Sequence, residues 1–172
     1  MKFEEVAKAV GCPYSPDTTH MHGGSEWESA WDGKIMHGIY CKRPHDAQQL
    51  WHELAHWLCV ETKLRHFVGF GGGESFDSAG TWQKYENNYS ASDVNEETAS
   101  ALGIWLHWCD DPIEAFSHAK DHSWGTYPAD GTVKSELYAQ RNTGGWKRAV
   151  KRLKTAGITL LQPDWSVNHG IE

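Results

Sequence analysis

The chain has 172 residues with ten tryptophans, and its formal net charge is −7 when the histidines are neutral. A chain of this length forms one compact domain with a substantial core, because domains of this size bury most of their apolar surface. The acidic balance excludes a whole-molecule field that attracts nucleic acid. No apolar run is long enough to cross a membrane.

The N-terminal residues MKFEEVAKAVG predict a short helix. They lack the basic and apolar regions of a signal peptide. The cysteines are widely scattered without a CxxC pair, which argues against a zinc ribbon and only weakly for disulfides. We therefore expect a cytoplasmic protein with free thiols. The four cysteines are Cys12, Cys41, Cys59 and Cys109.

Two strands are predicted ahead of the central helix, at residues 26–31 and 34–41. Asp32 and Gly33, which lie between them, form a strong turn signal for a hairpin. The sequence therefore predicts a small antiparallel hairpin that precedes the helix.

The central helix is predicted from about Pro44 to Lys63 and contains an HExxH motif at residues 52–56. Pro44 suits the first turn of a helix, and Asp46 favours a helix N-terminus. Apolar residues at helical spacing supply a stripe that faces the core. The motif is therefore predicted to lie on a well-formed, largely buried helix.

The spacing of the motif indicates metal chemistry. His52 and His56 are four residues apart, so their imidazoles lie on one helical face, close enough to bind the same ion. Glu53 is displaced sideways from both rings, where it can hold a metal-bound water without ligating the metal. The motif therefore predicts two metal ligands, His52 and His56, and a catalytic base, Glu53.

Downstream of this helix, residues 69–95 form a glycine-rich and weakly patterned stretch. Its length predicts an active-site flap or a substrate loop, with a plain connector about equally plausible. Further helices are predicted at residues 93–108, 112–122 and 143–156. Gly157 is well placed as the C-cap of the last of them.

A catalytic zinc requires a third protein ligand. The helix at residues 93–108 begins with the segment NEETA, at residues 95–99. This segment and HELAH resemble the motifs of gluzincin metallopeptidases, in which a helix bearing N-E-x-x-A or N-E-x-x-S provides the third ligand. The resemblance implies Glu96 as that ligand. Ser100 departs from the pattern of the larger gluzincins, which carry there an aspartate that orients a ligand histidine.

Glu97 is the alternative third ligand. It lies about 100° around the helix from Glu96, so the two carboxylates do not point equally well at one ion. Glu96 is preferred, and Glu97 suits the N-terminus of a helix, where an acidic residue is stabilising.

The small size and the hairpin-helix-helix order resemble the ImmA/IrrE-like peptidases and related phage-encoded proteins, over roughly residues 27–108. The resemblance implies an α+β, minimal zincin-like fold, in which a small antiparallel sheet or hairpin packs on the HExxH helix and on a second helix that bears a glutamate. It implies a single domain over residues 1–172, with a core at about 27–108 and a C-terminal helical extension at about 112–172.

The expected function is zinc-dependent hydrolysis of peptide bonds, with a peptide or a specific protein as the substrate. The alternative is a zinc-bearing regulatory or host-factor-binding protein with little catalytic activity. The oxyanion donor is left open among five residues, and His118 and His122 are otherwise expected to be exposed to solvent. These candidates are Tyr85, Tyr89, His118, His122 and Tyr127.

The helix at residues 146–154 carries five basic side chains, which form a local basic patch on an acidic protein. The patch is read as a solvated face opposite Val150 and Leu153 rather than as a nucleic-acid site. No membrane partner is expected, and the sequence does not indicate the oligomeric state.

Overall fold

Two helices of thirteen residues each form the centre of the molecule, α2 at Ala47–Cys59 and α3 at Glu96–Trp108. The structure is a computed structural model that describes residues 1–16, 30–40, 43–44, 46–71, 74–76, 82–84, 96–121 and 138–164. Within these residues α2 and α3 make the most extensive contact between any two elements. The HExxH motif and the NEETA segment are therefore carried by neighbouring helices.

Helix α2 is shorter than the sequence predicts. The Asp46 side chain accepts a hydrogen bond from the backbone N–H of Gln49 at 2.8 Å, so Asp46 is the N-cap and the helix begins after it. Pro44 lies in a strand and not in the first turn. At the other end Val60 is extended, and residues 62–64 form a separate 3₁₀ turn. An N-cap satisfies a free backbone N–H, which fixes where the helix starts.

The remaining helices agree closely with the sequence prediction. They are α1 at Phe3–Val10, α4 at Pro112–Asp121 and α5 at Gly144–Thr155. Thr143 caps α5 through a hydrogen bond from the Trp146 N–H, and Gly157 follows its end with φ 76°. Helix α5 packs against both α2 and α3, so the predicted C-terminal extension is in direct contact with the central pair.

The strands are short and differ from the predicted hairpin. The pair β1 at Tyr14–Ser15 and β2 at Met36–His37 is parallel, not antiparallel. The turn at Asp32 and Gly33 forms, but it closes only a single antiparallel bridge between Trp31 and Met36. Within the described residues, β2 therefore pairs with a segment near the N-terminus, and only the bridge at Met36 joins it to the residues before the turn. Residues 26–29 lie outside the described residues.

Two further strand pairs are antiparallel. One joins β3 at Ile39–Tyr40 to β4 at Arg43–Pro44, and the other joins β5 at Glu74–Phe76 to β6 at Trp82–Lys84. The second pair lies in the stretch predicted as a loop, most of which falls outside the described residues. The described architecture is therefore mostly helical with small strand pairs, which agrees with an α+β class.

Aromatic rings occupy much of the core, as the composition predicts. Trp51 is fully buried and meets the Phe3 ring edge-on at 5.3 Å, which attaches α1 to α2. Trp105 meets Trp146 edge-on at 5.1 Å, which attaches α5 to α3. Edge-to-face contacts of this kind are favourable ring geometries. Trp57 is buried as well, whereas Trp108 is only partly buried.

Cys12 and Cys59 are buried free thiols, and Cys109 is a partly buried one. Burial raises the pKa of Cys12 and of Cys59 to about 12. Thiols of this kind are unreactive because the thiolate is the nucleophile. Cys41 lies outside the described residues. None of the helices in the described parts of the chain combines the length and apolarity needed to span a membrane.

Gly103 allows the close approach of α3 to α2. A Cβ atom at this position would lie 3.0 Å from the Cα of His52 and 3.1 Å from the Trp51 carbonyl oxygen, and neither backbone atom can rotate away. Overpacking of this kind costs about 1–3 kcal/mol. We expect Gly103→Ala to lower the free energy of unfolding by about 1–3 kcal/mol, measured by urea denaturation. We also expect it to weaken metal binding, because the added Cβ would push His52 away from α3.

Gly144→Ala is the matched control for this prediction. Its added Cβ would meet only the end of the Arg148 side chain, at 3.5 Å, and this flexible group can move. We expect an unchanged or slightly raised free energy of unfolding in this variant. Equal stability of the two alanine variants would contradict the assigned role of Gly103.

Candidate metal centre

Three donor atoms from α2 and α3 converge at one point. His52 Nε2 and His56 Nε2 lie 3.0 Å apart, and each lies 3.1 Å from Glu96 Oε2. The donors therefore form a nearly equilateral triangle. Among the described residues this is the only group of three or more ligand side chains that can hold a metal ion.

The helices explain this convergence. His52 and His56 are one turn apart on α2, so both rings leave the helix on the same face. Their ring planes are nearly perpendicular, at 83°, with centroids 4.6 Å apart. Glu96 is the first residue of α3. Helix α3 lies against the His52 backbone at Gly103, which keeps the two helices close together.

The cluster is buried on the α2 side and open on the α3 side. His52 is 7% exposed and His56 is 4% exposed, whereas the Glu96 side chain is 50% exposed. The site thus combines two shielded nitrogen donors with a carboxylate that reaches solvent. An open side is required where a ligand position is to remain free for water or substrate.

The electrostatics of the cluster favour a cation among the donors. Burial works to raise the pKa of Glu96, but hydrogen bonds from His52 and His56 outweigh it and hold this pKa below its usual range. Burial works to lower the pKa of His56, but its hydrogen bond to Glu96 and the charges of Glu96 and Glu53 outweigh it and raise this pKa. The close carboxylate and imidazoles therefore favour a positive charge among them, and a metal ion would supply one.

Glu53 is also buried, at 8% exposure, and it lies on α2 beside the first ligand. Its charge contributes to the raised pKa of His56. It is not one of the three converging donors. The structure therefore places Glu53 on the same helix as both histidine donors, outside the group of three converging donors.

The two histidines differ in the hydrogen-bond partner of their second ring nitrogen, Nδ1. Ser100 Oγ, on α3, lies 3.4 Å from His52 Nδ1, so a serine hydroxyl stands next to the second ring nitrogen of this histidine. His56 Nδ1 is buried and makes no hydrogen bond within the described part of the chain. Such outer contacts normally fix the tautomer and the orientation of a ligand histidine.

Glu96 rather than Glu97 joins the cluster. Glu97 Oε2 instead accepts a hydrogen bond from the Gln140 side-chain amide at 3.1 Å. The neighbouring Thr98 also donates to Gln140, at 2.9 Å. Because consecutive helical side chains point about 100° apart, the two glutamates face different partners, as the sequence predicts.

Three arginines cap the C-terminal end of α2. Arg65 donates to the Trp57 carbonyl, Arg148 donates to the Cys59 carbonyl at 2.8 Å, and Arg152 donates to the Val60 carbonyl at 2.7 Å. Cations stabilise the negative end of a helix, whose last carbonyls lack partners within the helix. The reading of residues 146–154 as a wholly solvated basic face is therefore wrong at Arg148 and Arg152, which hold the motif helix in place.

His118 does not match its expected position. It is fully buried on α4, and its Nδ1 lies 3.2 Å from Nδ1 of His107, which is itself 2% exposed. His107 follows Glu96 by eleven residues on α3, which places it roughly 16 Å further along the helix axis. His118 is therefore neither solvent-exposed nor close to the metal cluster, and it is excluded as the oxyanion donor. The sequence gives no clue to this pairing, because it depends on how α4 folds back on α3.

The buried pair predicts a loss of stability in acid. Burial lowers the pKa of His107, despite the opposing charges of Asp110, Asp111, Glu114 and Asp46. A histidine with a depressed pKa in the folded state binds fewer protons there than in the unfolded chain, so its contribution to stability falls as the pH drops below about 6.5.

We expect His107 to lower the urea midpoint of the metal-free protein between pH 7.5 and pH 5.5, against the opposite effect of His56, whose raised pKa adds stability in acid. In the variant His107→Asn, which keeps a polar group at this position, the fall should be smaller. An equal fall in both proteins would assign the acid sensitivity to other groups.

The structure does not describe the remaining four candidates for the oxyanion donor. Tyr85, Tyr89, His122 and Tyr127 all lie outside the described residues. The oxyanion donor therefore stays open among them.

Phe70 is the residue near the site that the sequence did not indicate. Its ring stacks on the His56 ring, with centroids 5.8 Å apart and planes 27° apart. It lies in the glycine-rich stretch that the sequence predicts as a loop, and neither hydrophobic periodicity nor a motif distinguishes it from its neighbours. Its approach to His56 depends on the backbone path after α2.

Comparisons with protein-family models, with curated proteins and with solved structures gave no match to this chain. The functional interpretation therefore depends on the geometry of the residues described above.

Proposed function

We propose that the protein is a zinc-dependent metallopeptidase of the gluzincin type, with a minimal zincin-like fold, and that His52, His56 and Glu96 hold the zinc. One observation carries the proposal: two imidazole nitrogens and one carboxylate oxygen, from two helices, converge within 3.1 Å of one another. The HExxH spacing and the buried Glu53 beside them add the group that hydrolysis needs.

The donor set fits zinc. Ligands of a tetrahedral zinc, at about 2.0–2.1 Å from the ion, stand roughly 3.3 Å from one another. The observed separations of 3.0 and 3.1 Å are close to this value. Calcium and magnesium prefer sets made of oxygen ligands, so the two nitrogen donors favour zinc or another transition metal over them.

Glu53 is the proposed proton carrier of the reaction. Bound zinc supplies a Lewis acid that polarises the scissile carbonyl and makes water more acidic. The Glu53 carboxylate accepts a proton from the attacking water and then delivers it to the leaving amine. Its burial on α2, at 8% exposure, shields the carboxylate from bulk solvent. Ser100, through its contact with His52 Nδ1, helps to hold the ligand ring.

The alternative is a zinc-bearing regulatory or binding protein with little catalytic activity. The contact between Ser100 and His52 favours it, because 3.4 Å is long for a hydrogen bond and the serine carries no charge. A weaker outer contact lowers metal affinity and activity. Glu53 argues against the alternative, since a purely structural site needs no base.

Metal analysis combined with a peptide-library digest separates the two. The protein is stripped with a chelator, reloaded with one equivalent of Zn²⁺, and incubated with a broad peptide library whose new termini are identified by mass spectrometry. We expect cleavage by the zinc-loaded protein and none by the stripped protein. Zinc bound at one equivalent without any cleavage would favour the binding protein, and no zinc uptake would refute both.

A further inference from the structure

Phe70 lies in an unusual backbone conformation directly against a metal-ligand candidate. Its φ is 58° and its ψ is 18°, in the left-handed region, and Gly69 before it has φ 56°. A bulky residue in this region is strained, because its Cβ comes too close to the following carbonyl oxygen. Phe70 is nevertheless 1% exposed. The surrounding contacts must therefore compensate for the strained backbone.

Trp31 supplies those contacts. Its ring stacks on the Phe70 ring at 5.5 Å with planes only 5° apart. Its indole N–H donates to the Arg65 carbonyl at 2.8 Å, and its own carbonyl accepts the Gly69 N–H at 3.0 Å. Trp31 thus fixes the segment after α2 at two backbone points, and its ring covers the face of Phe70.

The Phe70 ring also meets the ring of His56. The distance of 5.8 Å and the angle of 27° describe a stacked contact, which restricts rotation of the imidazole about its bonds. A ligand histidine is usually held by a hydrogen bond to its second nitrogen. His52 has such a contact with Ser100, but His56 Nδ1 has none with a described residue.

We propose that Phe70, supported by Trp31, is the positioning residue of the metal site and orients His56 by ring stacking in place of a hydrogen bond. The proposal rests on the metal site of the proposed function but not on hydrolysis. It predicts that loss of the Phe70 ring alters the geometry at the metal, while loss of another buried ring from the same segment does not.

The test uses the full chain with Phe70→Leu and Phe70→Tyr, and with Phe67→Leu as the matched control. Phe67 is buried in the same segment, at 9% exposure, and loses the same ring. Leucine at position 70 carries the same backbone strain, so only the ring contact changes. Zn²⁺ affinity is measured by competition with a chromophoric chelator, and Co²⁺ visible absorption reports the coordination geometry independently of activity.

We expect Phe70→Leu to weaken Zn²⁺ binding about tenfold or more, as loss of an outer contact does, and to change the Co²⁺ spectrum. Phe70→Tyr and Phe67→Leu should keep the wild-type affinity and spectrum. A wild-type Co²⁺ spectrum and Zn²⁺ affinity in Phe70→Leu would overturn the proposal.

Folding of the variants is checked by circular dichroism at 10 °C. If Phe70→Leu does not fold, Phe70→Met repeats the measurement, because a flexible methionine fills the same space without a ring. If neither variant folds, Phe70 is required for folding of the core, and its proposed role in orienting His56 is rejected. Failure of the wild type to bind Zn²⁺ would refute the metal site itself, whereas binding without cleavage would refute only the peptidase activity.

Discussion

Replacing Glu96 with alanine is expected to abolish tight metal binding. The substitution removes one of three converging donors, and the two imidazoles alone do not hold a catalytic zinc. We expect Zn²⁺ affinity to fall by more than roughly 100-fold, beyond the 10- to 100-fold cost of losing an outer contact. Chelator competition at pH 7.5 measures the change.

Glu97→Ala is the matched control, since Glu97 follows Glu96 in the same first turn of α3 and carries the same charge. Its carboxylate contacts Gln140 and not the histidines. We expect this variant to bind Zn²⁺ with nearly wild-type affinity. A loss of affinity in Glu97→Ala, with retention in Glu96→Ala, would exchange the roles of the two glutamates.

Replacing Glu53 with glutamine is expected to remove hydrolysis while leaving zinc in place. Glutamine keeps the size of the side chain but cannot accept and return a proton, and general acid–base catalysis contributes about 10²- to 10⁴-fold. We expect kcat/KM on a library-derived peptide to fall by this order. Zinc content, measured on the same preparation, should remain at one equivalent.

Glu61→Gln serves as the control for Glu53. Glu61 follows α2, is exposed, and pairs with Lys63 at 2.8 Å. The same chemical change there should leave both zinc content and kcat/KM unchanged. Full hydrolytic activity in zinc-loaded Glu53→Gln would refute the assigned mechanism.

Much of the site could be predicted from the sequence because it depends on residues that lie close together in the chain. The spacing of His52 and His56 is a property of one helix, and helical periodicity separates Glu96 from Glu97 without knowledge of the fold. The resemblance to gluzincins supplied the pairing of these two segments, which periodicity alone cannot provide. The end of α5 was also predictable, since a glycine after a helix, here Gly157, is a short-range signal.

The errors came where partners are distant in sequence. Strand composition at residues 34–41 could not indicate that Met36 pairs in parallel with Tyr14, since strand partners are chosen by the fold. The pairing of His118 with His107 and the capping of α2 by Arg148 and Arg152 depend in the same way on helix packing. Composition marks such side chains as polar, and only their neighbours decide whether they are buried.

The sequence by itself placed His52, Glu53 and His56 within one turn of a helix, because helix geometry fixes which side chains share a face. The choice of Glu96 as the third donor came from the resemblance to gluzincins. Only the tertiary structure brought Glu96 within 3.1 Å of both imidazoles, through the contact at Gly103. It also placed Phe70 against His56. The physical reason is that covalent spacing fixes directions within one element, whereas distances between elements are set by packing.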